Sequence, residues 1–148
     1  MMYFDAAFIA KCYLNEHDAA NVRRAAFAAD GLASCSLGRV EFWSVLNRDL
    51  REGRLSARDA GRIRAQLRAD EASGVWTWFP VTAPLLDAAC VRLESMSRGR
   101  APGAADAIHL TCACLHGFAE ICTNDAQMLR AAPLFGLKGR DLTASLPE

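Results

Sequence analysis

Apolar and polar positions along the chain follow two alternating periods. Residues 2–5 are a short apolar run that ends on Asp5 and reads as a strand. Over 6–15, Phe8, Ile9, Cys12 and Tyr13 recur at helical spacing. An alanine-rich stretch predicts a second helix over about 17–29. Residues 32–36 predict a buried strand, with Ser36 as cap of a helix over about 38–52. That helix is expected to turn Val40, Trp43, Leu46 and Leu50 inward and to stop at Gly53. Ser56 and Asp59 form a capping-box-like pair that opens a helix over about 57–72, with Ala60, Ile63 and Leu67 inward. Val75 to Val81 predicts a strand. Thr82 caps a helix to about 97 with Leu86, Ala89, Cys90 and Leu93 inward. A helix over about 103–116, a strand over 119–123, a short helix from Ala126 to Ala131 and a last strand over Leu134 to Lys138 complete the pattern.

Strands that alternate with helices predict a three-layer α/β/α sandwich around a mainly parallel sheet. The 148 residues, with no repeat or linker, are read as a single domain over 1–148. The composition is 52% hydrophobic and 23% charged, with a formal net charge of zero, which excludes a histone-like polyelectrolyte. A local basic patch remains compatible with that balance. No apolar run reaches the roughly 18 residues of a membrane span, so no membrane partner is expected. The opening Met1-Met2-Tyr3-Phe4-Asp5 has no basic stretch followed by an apolar one. The expectation is therefore a cytoplasmic protein with reduced thiols. Cys12, Cys35, Cys90, Cys112, Cys114 and Cys122 make no CxxC pair. They read as small buried hydrophobes, with nothing nearby in the chain to activate a thiol.

Four acids carry the chemistry. Asp5 ends the first strand, Glu41 lies near the start of the helix after the second, Asp106 falls in the first turns of the 103–116 helix, and Asp125 follows the 119–123 strand. In a parallel sheet the strand C-termini and the next helix N-termini share one edge, where open α/β sheets bind ligands. Helix capping explains any one of these acids equally well. Their common placement points instead to a carboxylate cluster, which must share protons or hold a cation. Oxygen donors without a Cys/His set suit Mg²⁺ or Mn²⁺. The chemistry implied is metal-assisted phosphodiester hydrolysis.

Tyr3-Phe4-Asp5-Ala6-Ala7-Phe8-Ile9-Ala10-Lys11, Arg39-Val40-Glu41-Phe42-Trp43, Ala104-Ala105-Asp106-Ala107-Ile108-His109-Leu110 and Thr123-Asn124-Asp125 resemble, in order and spacing, the motifs of PIN-domain proteins. The likeness is greatest to the VapC-type toxins of bacterial toxin–antitoxin pairs. The resemblance implies an α/β/α sandwich and an endoribonuclease dependent on Mg²⁺ or Mn²⁺. Asp5, Glu41, Asp106 and Asp125 would be the metal-site and catalytic positions. It also implies an RNA substrate, a cognate protein antitoxin and a homodimer. One departure stands out: the family commonly carries Ser or Thr within two residues of the first Asp, where this chain has Ala6 and Ala7. A hydroxyl is then missing beside the site unless Thr123 or Asn124 supplies the contact, a departure that bears on the fine geometry rather than on the metal site.

The alternative from another class is a non-enzymatic receiver-like signalling module with an acidic Mg²⁺ pocket, in which Lys138 would take the part of the receiver lysine. Such a pocket draws its acids chiefly from the first and third strands, whereas Glu41 and Asp106 sit on helices. Of the 17 basic residues only Lys11 and Lys138 are lysines. The arginines Arg48, Arg51, Arg54, Arg58, Arg62, Arg64 and Arg68 read as a solvated surface. Arg98 and Arg100 are better placed to meet a phosphate. His109 reads as a packed helix histidine, Lys11 as a surface or ion-pair residue, and Trp76 with Trp78 as one half-buried strand face.

Overall fold

A computed structural model describes residues 1–97, 99 and 101–143. Arg98 and Arg100, expected near a phosphate, lie outside the described residues. The elements in chain order are β1 (Met2–Tyr3), α1 (Ala6–Tyr13), α2 (Ala19–Ala28), β2 (Leu32–Cys35), α3 (Ser36–Arg51), α4 (Ala57–Ala72), β3 (Trp76–Phe79), α5 (Ala83–Glu94), α6 (Ala104–Leu115), β4 (Glu120–Cys122), α7 (Ala126–Ala131) and β5 (Lys138–Arg140). A 3₁₀ turn, Ala132–Phe135, precedes β5.

Every strand pairing among the described residues is parallel. β1 pairs with β2, β2 with β3, and β4 with β5. A parallel bridge between Phe4 and Cys122 joins the two ladders. The spatial order is therefore β3-β2-β1-β4-β5. The chain winds outward from β1 to β3, returns through α5 and α6, and winds outward again from β4. The reversal lies between β1 and β4, which is the topological switch point.

Side chains alternate across the sheet with the strand period of two. Tyr3, Ala33, Cys35 and Ile121 face one layer, where they pack with Leu85, Leu110, Met128 and Phe135. Phe4, Leu32 and Cys122 face the other, with Phe8, Ile9, Phe42, Leu46 and Leu67. The α/β/α sandwich expected from the alternation is the fold observed.

Several expected details differ. In α3 the buried stripe is Gly38, Phe42 and Leu46, while Val40 is 64% exposed. A glycine at a core position carries no apolar signal, so the pattern favoured the neighbouring stripe. In α5 the buried residues are Leu85 and Ala89, with Leu86 and Cys90 exposed. Ser36 is the first residue of α3 rather than its cap; its Oγ accepts from the Val81 N–H at 3.2 Å. The last strand is Lys138–Arg140, not Leu134–Lys138. Gly136, at φ +76°, closes the 3₁₀ turn and moves the strand onward. The other two caps read from side-chain chemistry are as expected: Ser56 accepts from Asp59 N–H at 3.0 Å and Thr82 from Leu85 N–H at 3.4 Å.

Candidate functional site

Asp5 and Asp125 stand at the switch point. Asp5 follows β1 and caps α1, its Oδ1 accepting from Phe8 N–H at 2.8 Å. Asp125 follows β4 and caps α7, its Oδ1 accepting from Gln127 and Met128 N–H at 2.7 and 2.8 Å. So both acids do cap helices. Capping takes one oxygen of each and leaves the other. The Oδ2 of Asp5 accepts the Thr123 hydroxyl at 2.5 Å, and the same hydroxyl accepts the Asp125 N–H at 2.9 Å. Ala6 and Ala7 offer Asp5 no hydroxyl; the one it meets belongs to Thr123, a fully buried residue just past β4.

Asp106 lies in the first turn of α6, and Glu41 in the second turn of α3. The four acids feel one another. Burial chiefly raises the Asp5 carboxyl to about 6; the Thr123 hydroxyl, the Phe8 N–H and His109 hold it down, and Glu41 pushes it up. Asp106 is also raised, first by burial and then by the charge of Asp125, with His109 opposing and Glu41 adding. Two carboxyls of the cluster therefore resist ionisation, as like charges in a desolvated place must.

His109, which reads from the sequence as a packed histidine, proves to be part of this constellation. It is 1% exposed, and its Nε2 lies 2.9 Å from Glu41 Oε2. Its Nδ1 faces the Tyr3 hydroxyl at 3.4 Å and Cys35 Sγ at 3.5 Å. Burial drives the imidazolium down, but Cys35 and Glu41 outweigh it and carry His109 up to about 10. The only hint in the sequence was its position three residues after Asp106.

The cysteines need correction. Cys90 is exposed, not buried, and Cys35 has an activating environment. A hydrogen bond from Cys112 does most to push the Cys35 thiol down, to about 4; burial opposes this and His109 adds to it. Cys112 is raised by the same pairing and by burial. Lys11 is an ion-pair residue, 3.2 Å from Glu16, but a buried one rather than a surface one. Trp76 and Trp78 stack on each other at 4.9 Å, and Trp76 Nε1–H donates to Tyr13.

Among the described residues, no three His, Cys, Asp or Glu side chains stand at metal-ligating spacing. The donor chemistry nonetheless fits a hard divalent cation. Four carboxylates share one sheet edge, and two of them, Asp5 and Asp106, are held above their ordinary range by burial first and then by their acidic neighbours, Glu41 for both and Asp125 for Asp106. A bound cation would relieve that repulsion, with Asp5, Asp106 and Asp125 as the residues to hold it and Glu41 beside them.

The receiver-like alternative loses its supports. No acid follows β3, whose end runs Phe79-Pro80-Val81-Thr82. Lys138 opens β5 at the other edge of the sheet and pairs with Glu120 at 3.3 Å. A concavity of about 670 Å³ also lies at that other edge, between Tyr13, Phe27, Gly31, Asp70 and Val75, and none of the four acids lines it. No helix among the described residues is long and apolar enough to cross a membrane. No curated protein matches the chain. A family model does: the PIN domain, over residues 2–134.

Proposed function

The chain belongs to the PIN domain family, a family of metal-dependent nucleases, and from that premise we propose that it is an endoribonuclease of the VapC toxin type. The observation that carries the reading is the meeting of Asp5 and Asp125 through Thr123 at the switch point, with Asp106 and Glu41 within electrostatic reach. PIN nucleases use divalent metal ions. A bound Mg²⁺ or Mn²⁺ would supply an activated water and offset the charge of the transition state. Asp5, Asp106 and Asp125 would hold the ion, and Glu41 would complete the set or orient the attacking water. Thr123 links the Asp5 carboxylate to the Asp125 backbone, and the Phe8 N–H and the Thr123 hydroxyl each hold one oxygen of that carboxylate.

RNA as substrate and the toxin role rest on the four motifs quoted above. A cognate antitoxin would neutralise the protein by presenting a basic group to the acidic edge, and arginine suits this because its planar fork meets a carboxylate in bidentate fashion. A homodimer is part of the same reading. The test is cleavage of single-stranded RNA by purified protein. Cleavage should need Mg²⁺ or Mn²⁺, stop in EDTA, and be poor in Ca²⁺, which prefers a looser and larger shell. Asp5→Ala and Asp106→Ala should abolish it. Robust cleavage in EDTA, or by either variant, would overturn the proposal. Growth arrest on expression, relieved by the antitoxin, tests the toxin role separately.

A further inference from the structure

We infer that His109 is a positioning residue for Glu41, fixing that carboxylate beside Asp5 and Asp106; this rests on the nuclease reading above. Glu41 is long, sits on the outer part of a helix and keeps 30% of its side chain exposed. Left alone, such a side chain samples several rotamers. Here its Oε2 lies 2.9 Å from His109 Nε2. A carboxylate can only accept, so Nε2–H donates whatever the state of the other ring nitrogen.

The imidazole that makes this bond cannot move. Its ring meets Tyr3 edge to face at 6.1 Å, and Nδ1 faces the Tyr3 hydroxyl and Cys35 Sγ. Tyr3 is itself tied down, accepting from the Cys35 N–H at 3.1 Å. On the remaining side α3 crosses the ring at Gly38. A Cβ there would lie 2.9 Å from His109 Cε1 and 2.7 Å from Ser34 Oγ. The slot for the imidazole therefore exists because α3 has no side chain at that point. Three residues later the same helix presents Glu41 to the ring. A histidine serving only to fill the core would have no need of a bond to a carboxylate that keeps 30% of its side chain exposed.

The test separates the two ring nitrogens. His109→Gln places an amide N–H where Nε2 stands, and His109→Asn places one only where Nδ1 stands. Mn²⁺ binding is measured by calorimetry on each folded variant. The asparagine variant should bind about 10- to 100-fold more weakly, the range typical of lost outer-shell partners, and the glutamine variant should recover most of the loss. In a Glu41→Ala background, His109→Asn should cost nothing further. Equal losses for Asn and Gln, or full additivity with Glu41→Ala, would overturn the inference. Should His109→Asn fail to fold, the wild-type protein decides: the ¹⁵N resonance of His109 Nε2 must move on Glu41→Ala, and an unmoved resonance overturns the inference. Wild-type protein that binds Mn²⁺ yet cleaves no RNA would remove the nuclease reading and leave the binding cycle to judge His109. Wild-type protein that binds no Mn²⁺ would overturn both.

Discussion

Asp5 and Thr123 stand 118 positions apart in the chain, and the Thr123 hydroxyl donates to Asp5 Oδ2 at 2.5 Å. The bond spans the seam of the sheet. β1 is two residues long and meets β4 through one bridge, Phe4 to Cys122, and the Asp5 N–H to Cys122 C=O bond at 3.2 Å. So little backbone pairing leaves the two halves of the sheet dependent on side chains for their alignment. Thr123 provides it, and because its oxygen also accepts from Asp125 N–H, one hydroxyl sets both acids of the switch point.

Replacing that hydroxyl should therefore be felt in stability and in metal binding together. Thr123→Val keeps the shape and leaves Asp5 Oδ2 and the Asp125 N–H without a partner. A buried polar group left unpaired costs about 1–3 kcal/mol. The urea midpoint of the metal-free protein should fall accordingly, Mn²⁺ should bind more weakly, and Thr123→Ser should restore both. The Asp5 carboxyl should also rise further, since the Thr123 hydroxyl is what most holds it down. A valine variant as stable as wild type, with unchanged Mn²⁺ affinity, would show that the hydroxyl does not align the acids.

Gly38 makes a second prediction. Its Cβ-free backbone passes 2.9 Å, on an ideal Cβ, from both His109 Cε1 and Ile9 Cδ1. Its φ is in the ordinary helical range, so the demand for glycine is one of space. Gly38→Ala adds a methyl group to a filled core, which typically costs about 1–3 kcal/mol. At an exposed helix position the same change would stabilise through helix propensity. Gly61 in α4, with nothing within 4 Å of its Cβ, is the control. Gly61→Ala should raise the melting temperature and Gly38→Ala should lower it; the same sign at both sites would contradict the packing.

What the sequence revealed and what it hid divide along physical lines. Asp5 and Asp125 were legible because a strand C-terminus in a parallel sheet has only one edge to reach. Ser56 and Thr82 were legible because capping is a local act of a side chain on its own backbone. Gly38 was hidden because its contribution is an absence of atoms, and with it the true inner face of α3. A last strand was expected, but the bounds of β5 were hidden because Lys138 and Arg140 are exposed on an edge and Gly139 packs its backbone against Leu129, leaving no apolar alternation to read. His109 was hidden for another reason: its partners Tyr3, Cys35 and Glu41 come from β1, β2 and α3, and no spacing within α6 can announce them.

The thiols offer a check on packing that needs no substrate. Cys90 is exposed, whereas Cys35, Cys112 and Cys122 are buried. Burial also pushes the Cys12 and Cys122 thiols up to about 12, which keeps them protonated and poor nucleophiles. An aromatic disulfide reagent added to the native protein should show one fast thiol, and Cys90→Ser should remove that phase. Cys35 should react only on unfolding despite its lowered pKa, because the reagent cannot reach it. Rapid reaction of Cys35 or Cys112 in the Cys90→Ser protein would show that the β2–α6 core is open.

Asp5 supplies the pH dependence. Burial raises its carboxyl from 3.8 to about 6 in the folded chain. Between those values the folded state holds a proton that the unfolded state has released, so the stability of the metal-free protein falls as pH rises through that window. Above pH 6 both states are ionised and the loss is complete, on the order of 3 kcal/mol at 1.36 kcal/mol per unit. Asp5→Asn keeps an oxygen for the Phe8 N–H and carries no charge to bury. It should abolish this part of the decline, so that the stability difference between variant and wild type opens from about pH 4 to pH 6 and then stays constant. A metal ion competes with the same proton. Mn²⁺ should therefore bind the wild-type protein more tightly as pH rises to about 6, level off beyond it, and raise its melting temperature at pH 7 while leaving that of Asp5→Asn unchanged. The two effects run in opposite directions in pH: the proton favours the empty fold and its loss favours the loaded one. A metal-free Asp5→Asn variant that kept the wild-type decline between pH 4 and pH 6 would show that burial does not hold the Asp5 charge at a cost.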